Sequence, residues 1–166
     1  MDLSQIALKL AFDAVGLPVS VASFNDRLIA QKAVYLCQAA GVHLGYAFRW
    51  YLRGPYSPGL TRDVFPVADE LEAASEEWKA WELDEGSEGR LQKLKALFAH
   101  HECRDAMARR LELLASVHFV VDQGRVSQGA PNTIAETLKR FGKDFTPEEI
   151  SEALGELREY ELLGQQ

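Results

Sequence analysis

The chain has 166 residues, 47% of them apolar and 26% charged, and a formal net charge of −7. That suffices for one domain with its own core. The negative balance argues against a general affinity for nucleic acid through summed charge, but leaves room for a local basic patch.

Leu3, Ile6, Ala7, Leu10 and Ala14 recur at helical spacing and predict a first helix over 3–15, stopped by Gly16-Leu17-Pro18. A second helix is expected from about 24 to 40. Its buried side carries Leu28, Ala33, Leu36, Cys37 and Ala40, and Gly41 ends it. Lys32 and Tyr35, three apart, share another side of this helix. The most unusual stretch follows, Tyr46 to Pro58, with aromatic residues, two arginines and a Gly-Pro…Ser-Pro turn. Phe48, Trp50 and Leu52 alternate with Arg49, Tyr51 and Arg53, which reads as a short strand or extended arm. Gly54-Pro55 breaks it. Ser57 is placed as an N-cap with Pro58 at the first helical position, and the helix passes through Leu60, Val64 and Phe65 until Pro66 kinks or ends it.

Residues 68–81 read as helical, inside an acidic run from Asp69 to Glu88 that holds nine carboxylates and a single Lys79. A solvated helix face and loop is the expectation there. Residues 84–89 read as a polar turn, followed by a helix through Leu91, Leu94, Leu97 and Phe98. Met107, Leu111, Leu114, Val117 and Val121 form the longest apolar stripe, the mark of a central core helix closed by Gly124. A loop over 127–131 precedes a short helix capped by Asn132 or Thr133 and ended by Gly142. Thr146-Pro147-Glu148-Glu149 is a capping-box start for a last helix through Ile150, Ala153, Leu154 and Leu157. The chain is thus expected to be mainly α, a single compact helical domain of about seven helices. It carries a short extended or β arm and a C-terminal helix-turn-helix-like pair, with 125–166 outlining a winged-helix-like subdomain.

No chemistry-bearing motif is complete. His100 and His101 are adjacent and point about 100° apart on a helix, and no second cluster near Glu102 and Cys103 matches zinc spacing, so no metal site is expected. His118 lies on the core stripe and reads as a satisfied core histidine. Ser57 lacks a nucleophile elbow and is explained by its cap, and the glycines build no phosphate loop. No catalytic residue and no cofactor is assigned. An enzyme would need Lys32, Tyr35, Ser57 and His118 to converge in one cleft. Cys37 and Cys103 read as buried free thiols, suited to a reducing compartment. Residues 1–6 resemble no signal peptide and no apolar run approaches a membrane span, so a cytoplasmic protein without membrane contact is expected.

The arm places Arg49, Tyr51 and Arg53 on one side and Phe48, Trp50 and Leu52 on the other. Two readings stand. The arginines are solvated or pair with the acidic run, or they form an aromatic–arginine surface of the kind that concentrates binding energy. The candidate contact residues for another protein are Lys32, Tyr35, Arg49, Tyr51, Arg53 and Tyr56. A nucleic-acid regulator is second, using Lys139, Arg140 and Lys143 with the arm's arginines, against the seven carboxylates from Asp144 to Glu161.

Gln31-Lys32-Ala33-Val34-Tyr35-Leu36 resembles the "QK-x-x-Y-L" helix of the uncharacterised prokaryotic YwgA-like proteins. Leu44 to Pro58 is similar to that family's central signature, and Leu114 to Phe119 and the Thr146-to-Leu154 start to its later segments. A looser likeness, through the Tyr-Gly-Pro-Tyr/Val-x-Pro core, extends to the Panacea domain of antitoxins such as SocA. Here Arg53 stands where a tyrosine or histidine is usual. The resemblance implies a small helical domain in toxin neutralisation, mobile-element conflict or phage defence. Its partner would be a toxin, a defence effector or another copy of itself. The resemblance supplies no catalytic residues.

Overall fold

The computed structural model describes residues 1–164. Helices α1 (Leu3–Ala14) and α2 (Phe24–Ala39) each open on a capping box, Asp2 with Gln5 and Ser23 with Asp26, which satisfies donors a helix start leaves free. Strands β1 (Arg49–Tyr51) and β2 (Gly54–Tyr56) form an antiparallel hairpin, with Arg49 opposite Tyr56, Trp50 opposite Pro55 and Tyr51 opposite Gly54. Then come α3 (Pro58–Glu72), a 3₁₀ turn (Glu77–Ala80), and α4 (Glu85–Leu94), which runs into a second 3₁₀ turn (Lys95–Phe98). The chain closes with α5 (Arg104–Asp122), α6 (Pro131–Arg140) and α7 (Pro147–Glu159). The architecture is mainly α, with seven α-helices and one two-stranded sheet among the described residues.

The stripe read from Met107 onward does form the central helix. Leu111, Leu114, Val117 and Val120 of α5 are fully buried, and α5 packs on α2 along one side and on α7 along another. Each of these side chains contributes roughly 1.5–3 kcal/mol by leaving water. Because α5, α3 and β2 all pack on α2, every residue from Leu28 to Cys37 is buried, the polar Gln31 and Lys32 included. The expected one-sided amphipathic helix is corrected on this point: Lys32 and Tyr35 do not lie on an outer face.

Other local expectations shift as well. Pro66 lies inside α3 and does not end it; the turn beyond is held by burial of Val67 and Ala68. Helix over 68–81 gives way after Glu72 to a turn with Ala74 at φ 58°, then the first 3₁₀ turn. Residues 84–89 are the start of α4, with Asp84 accepting from the Ser87 amide at 2.9 Å. Helix α6 begins at Pro131 behind Ala130, so neither Asn132 nor Thr133 is its cap. Cys103 is exposed as the N-cap of α5, while Cys37 is buried and its thiol pushed up to about 12 by burial. The caps at Ser57 and Thr146 form as expected.

Candidate functional site

Two side chains of α2 fasten the hairpin. The Gln31 amide donates to the Ser57 carbonyl (3.0 Å) and the Thr61 hydroxyl (2.9 Å) and accepts from the Ser57 amide (2.9 Å). Lys32 Nζ donates to the Pro55 carbonyl at 2.7 Å. Buried backbone groups that a sheet of two short strands leaves unpaired thus find partners on a helix. On the inner side, Trp50 packs against Phe119 and Phe141 with ring centroids 5.7 and 4.9 Å away, and Phe48 meets Tyr35 edge-on at 5.3 Å.

On the outer side Arg49, Tyr51 and Arg53 are exposed, as the alternation predicts, and the Tyr51 and Tyr56 rings lie 5.3 Å apart. Leu52 departs from its expected side. It sits in the hairpin turn and is 74% exposed, because the two-residue periodicity stops where the strand does.

Between α2, the hairpin and α3 lies a cavity of about 540 Å³, within the range of ligand and peptide pockets. Helix α2 contributes Phe24, Arg27, Leu28, Gln31 and Lys32; the hairpin contributes Tyr51, Leu52, Arg53 and Tyr56; α3 contributes Thr61, Val64 and Phe65. Three of these residues are cationic and none is a carboxylate. Phe24, Tyr51, Leu52 and Phe65 are large apolar residues left exposed around it.

Leu52 and Arg53 also line a second cavity, where a charge cluster of Arg53, Glu112 and Lys143 lies. Lys143 and Glu112 form an ion pair that is almost wholly buried, and Arg53 Nη1 stands 3.8 Å from the other Glu112 oxygen. The Lys32 ammonium is pushed down to about 7, chiefly by burial; Glu112 opposes this, and Lys143 and Arg53 reinforce it. Burial also lowers Lys143, with Glu112 working against it. Arg53 and Lys143 therefore share one carboxylate, while Lys32 Nζ is held by the Pro55 carbonyl.

Of the six predicted contact residues, Lys32, Tyr51, Arg53 and Tyr56 line the cavity, with Lys32 reached only from within it. Arg49 is exposed but lies outside the lining. Tyr35 is buried elsewhere: its hydroxyl meets His118 Nδ1 at 2.7 Å, and His118 Nε2 meets the Leu162 carbonyl at 3.0 Å. A carbonyl only accepts, so Nε2 carries the proton and Nδ1 accepts from Tyr35. The basic cluster proposed for nucleic acid is split, because Lys143 is buried on Glu112 while Lys139 and Arg140 stay exposed. Lys32 lines the groove, Tyr35 and His118 line another cavity beside Tyr46 and Phe48, and Ser57 caps α3.

Phe24, Arg27, Thr61, Phe65 and Glu112 escape sequence reading as site residues, since each belongs to an ordinary helical pattern. Among the described residues no group of three or more His, Cys, Asp or Glu could hold a metal ion, and no helix is long and apolar enough to cross a membrane. No protein-family model, curated protein or solved structure matches the chain. The YwgA-like resemblance therefore rests on its quoted motifs alone.

Proposed function

We propose that this chain is a non-enzymatic protein-binding module of the antitoxin, adaptor or defence-component kind, acting in the cytoplasm, and that it docks its partner in the groove between α2, the hairpin and α3. One observation carries the reading. The groove gathers Arg27, Lys32 and Arg53 with four exposed large apolar side chains and includes no carboxylate, on a protein whose net charge is −7. Aromatic and arginine side chains around a concave apolar centre are what concentrates binding energy in interfaces. Arg53 offers charge-assisted bonds to a partner's carboxylate, and Tyr51 and Tyr56 offer apolar area with polar tips.

Capture from a lysate of the native host tests it, with wild type, Arg53→Glu, Tyr51→Ala and, as a control on α6, Arg140→Glu. A species held by wild type and Arg140→Glu but lost from the two groove variants is the expected result. Retention by both groove variants would place docking elsewhere. Loss in Arg140→Glu, with steep weakening as salt rises, would turn the reading to nucleic acid.

A further inference from the structure

Resting on that docking reading, we propose that the groove's occupant is a second copy of this chain: the acidic segment around Trp81 and Glu82 of one copy seats in the groove of the other, and reciprocally. The groove asks for an apolar side chain with a carboxylate beside it. The cavity offers aromatic and aliphatic walls with two guanidiniums among them: Arg27 forms no ion pair among the described residues, and Arg53 only a long one, 3.8 Å to Glu112. A carboxylate carried in by an occupant would give these guanidiniums the charge-assisted partner that the groove's own lining lacks.

The chain carries that complement on its own surface. Trp81 is 51% exposed and makes no ring–ring or cation–ring contact among the described residues, whereas the exposed Phe141 already stacks on Trp50. It stands in extended backbone, ψ 155°, between the first 3₁₀ turn and α4. An extended stretch can present alternate side chains to a groove without a helix having to unfold. Glu82 follows it and forms no ion pair among the described residues, unlike Glu76 on Lys79 and Glu77 on the N-terminal amine. Lys9 lies over the Trp78 ring at 4.0 Å, which ties the preceding turn to α1, so Trp81 is presented outward.

Charge sets the pairing. Two acidic segments repel each other, and so do two cationic grooves, which leaves segment against groove. A two-fold axis makes both contacts at once and closes the assembly at two copies.

Sedimentation velocity over a concentration series up to about 1 mM, which reaches weak protein pairs, decides the matter. Wild type and Arg140→Glu are expected to form a reversible dimer. Arg53→Glu and Trp81→Ala, both at exposed positions and checked for folding by circular dichroism, are each expected to stay monomeric. Mixed in equal amounts they should associate more than either alone, because the intact segment of one meets the intact groove of the other. Monomeric wild type, a dimer indifferent to both substitutions, or no gain on mixing would each overturn the proposal. If wild type is monomeric while Arg53→Glu still loses capture of a different protein, this occupant falls and the groove stands. If capture is unaffected too, the groove falls with it.

Discussion

Gly54 approaches Ser116 so closely that a Cβ on the glycine would lie 2.6 Å from the serine Oγ and 3.5 Å from Lys32 Nζ. The φ of +89° at Gly54 adds a second reason for glycine, since L side chains rarely adopt it. This contact sets how deeply the hairpin sinks onto α2 and α5, and hence the floor of the groove. Gly54→Ala is expected to cost about 2–4 kcal/mol, from overpacking and backbone strain together. Gly45→Ala shares a positive φ but meets nothing within 4 Å and should cost about 1 kcal/mol. Urea unfolding of the two variants checks this; equal losses would mean the close approach has no energetic weight.

Lys32 makes stability depend on alkaline pH. Its folded pKa is about 7, below the ordinary lysine value of 10.5, so between these the unfolded chain holds a proton the folded one lacks. Stability therefore rises as pH climbs from about 7 towards 10, by of order 2–4 kcal/mol, each pH unit with one proton of difference being worth about 1.4 kcal/mol. Lysine 143 adds in the same direction. Above pH 10 the buried Tyr35 and the half-buried Tyr46, both raised chiefly by desolvation, reverse the trend. Thermal midpoints from pH 7 to 9.5 should rise for wild type and flatten in Lys32→Met. An unchanged slope in the variant would show that Lys32 is charged in the fold.

His118 acts at the acid end. Burial holds its pKa below the ordinary imidazole value, so the unfolded chain protonates first and stability is lost as pH falls below about 6.5. Tyr35→Phe removes the donor to Nδ1 and leaves a buried acceptor unsatisfied, a cost of about 1–3 kcal/mol at neutral pH. Histidine NMR across pH 5–8 should show the folded protein titrating late. A wild-type His118 titrating at its ordinary value would refute the assignment.

Glu112 pairs with both Lys143 and Arg53, and its loss should exceed that of either. Glu112→Gln is expected to destabilise by roughly 3–5 kcal/mol, because Lys143 is left buried without a counter-charge. Adding Lys143→Met to that variant should recover much of the loss. A double-mutant cycle in urea measures the coupling, and a coupling near zero would mean the pair is solvated.

Arg53, 59% exposed and 3.8 Å from Glu112, belongs to the surface in energetic terms. Arg53→Ala should change stability by less than about 1 kcal/mol. A loss of several kcal/mol by differential scanning would make the residue part of the fold's support and remove the rationale for its use in docking.

Much of the secondary structure was legible before any coordinates. The Ser57-Pro58 and Thr146-Pro147-Glu148-Glu149 starts appear where local hydrogen bonding alone puts them, since a cap needs only residues within one turn. The outward placement of Arg49, Tyr51 and Arg53 was equally readable, because alternation along a strand is local. Where reading failed, distant partners intervened. Pro66 stays inside α3 because Val67 and Ala68 are buried, and Leu52 faces solvent because the strand ends before it. The candidate groove was half legible: the hairpin side chains carried a signal, while Phe24, Arg27 and Phe65 came from two helices with none.

By itself, the sequence determined the caps at Ser57 and Thr146, the helical stripes and the central place of the Met107-to-Val121 segment, all of which follow from periodicity and short-range bonding. Only the tertiary structure decided that the Leu28-to-Cys37 stretch of α2 is buried, with Lys32 held on the Pro55 carbonyl, and that Lys143 is buried on Glu112. That outcome depends on α5, the hairpin and α3 meeting across long stretches of chain. Desolvation is a property of the assembled interior, and no residue-by-residue pattern records it.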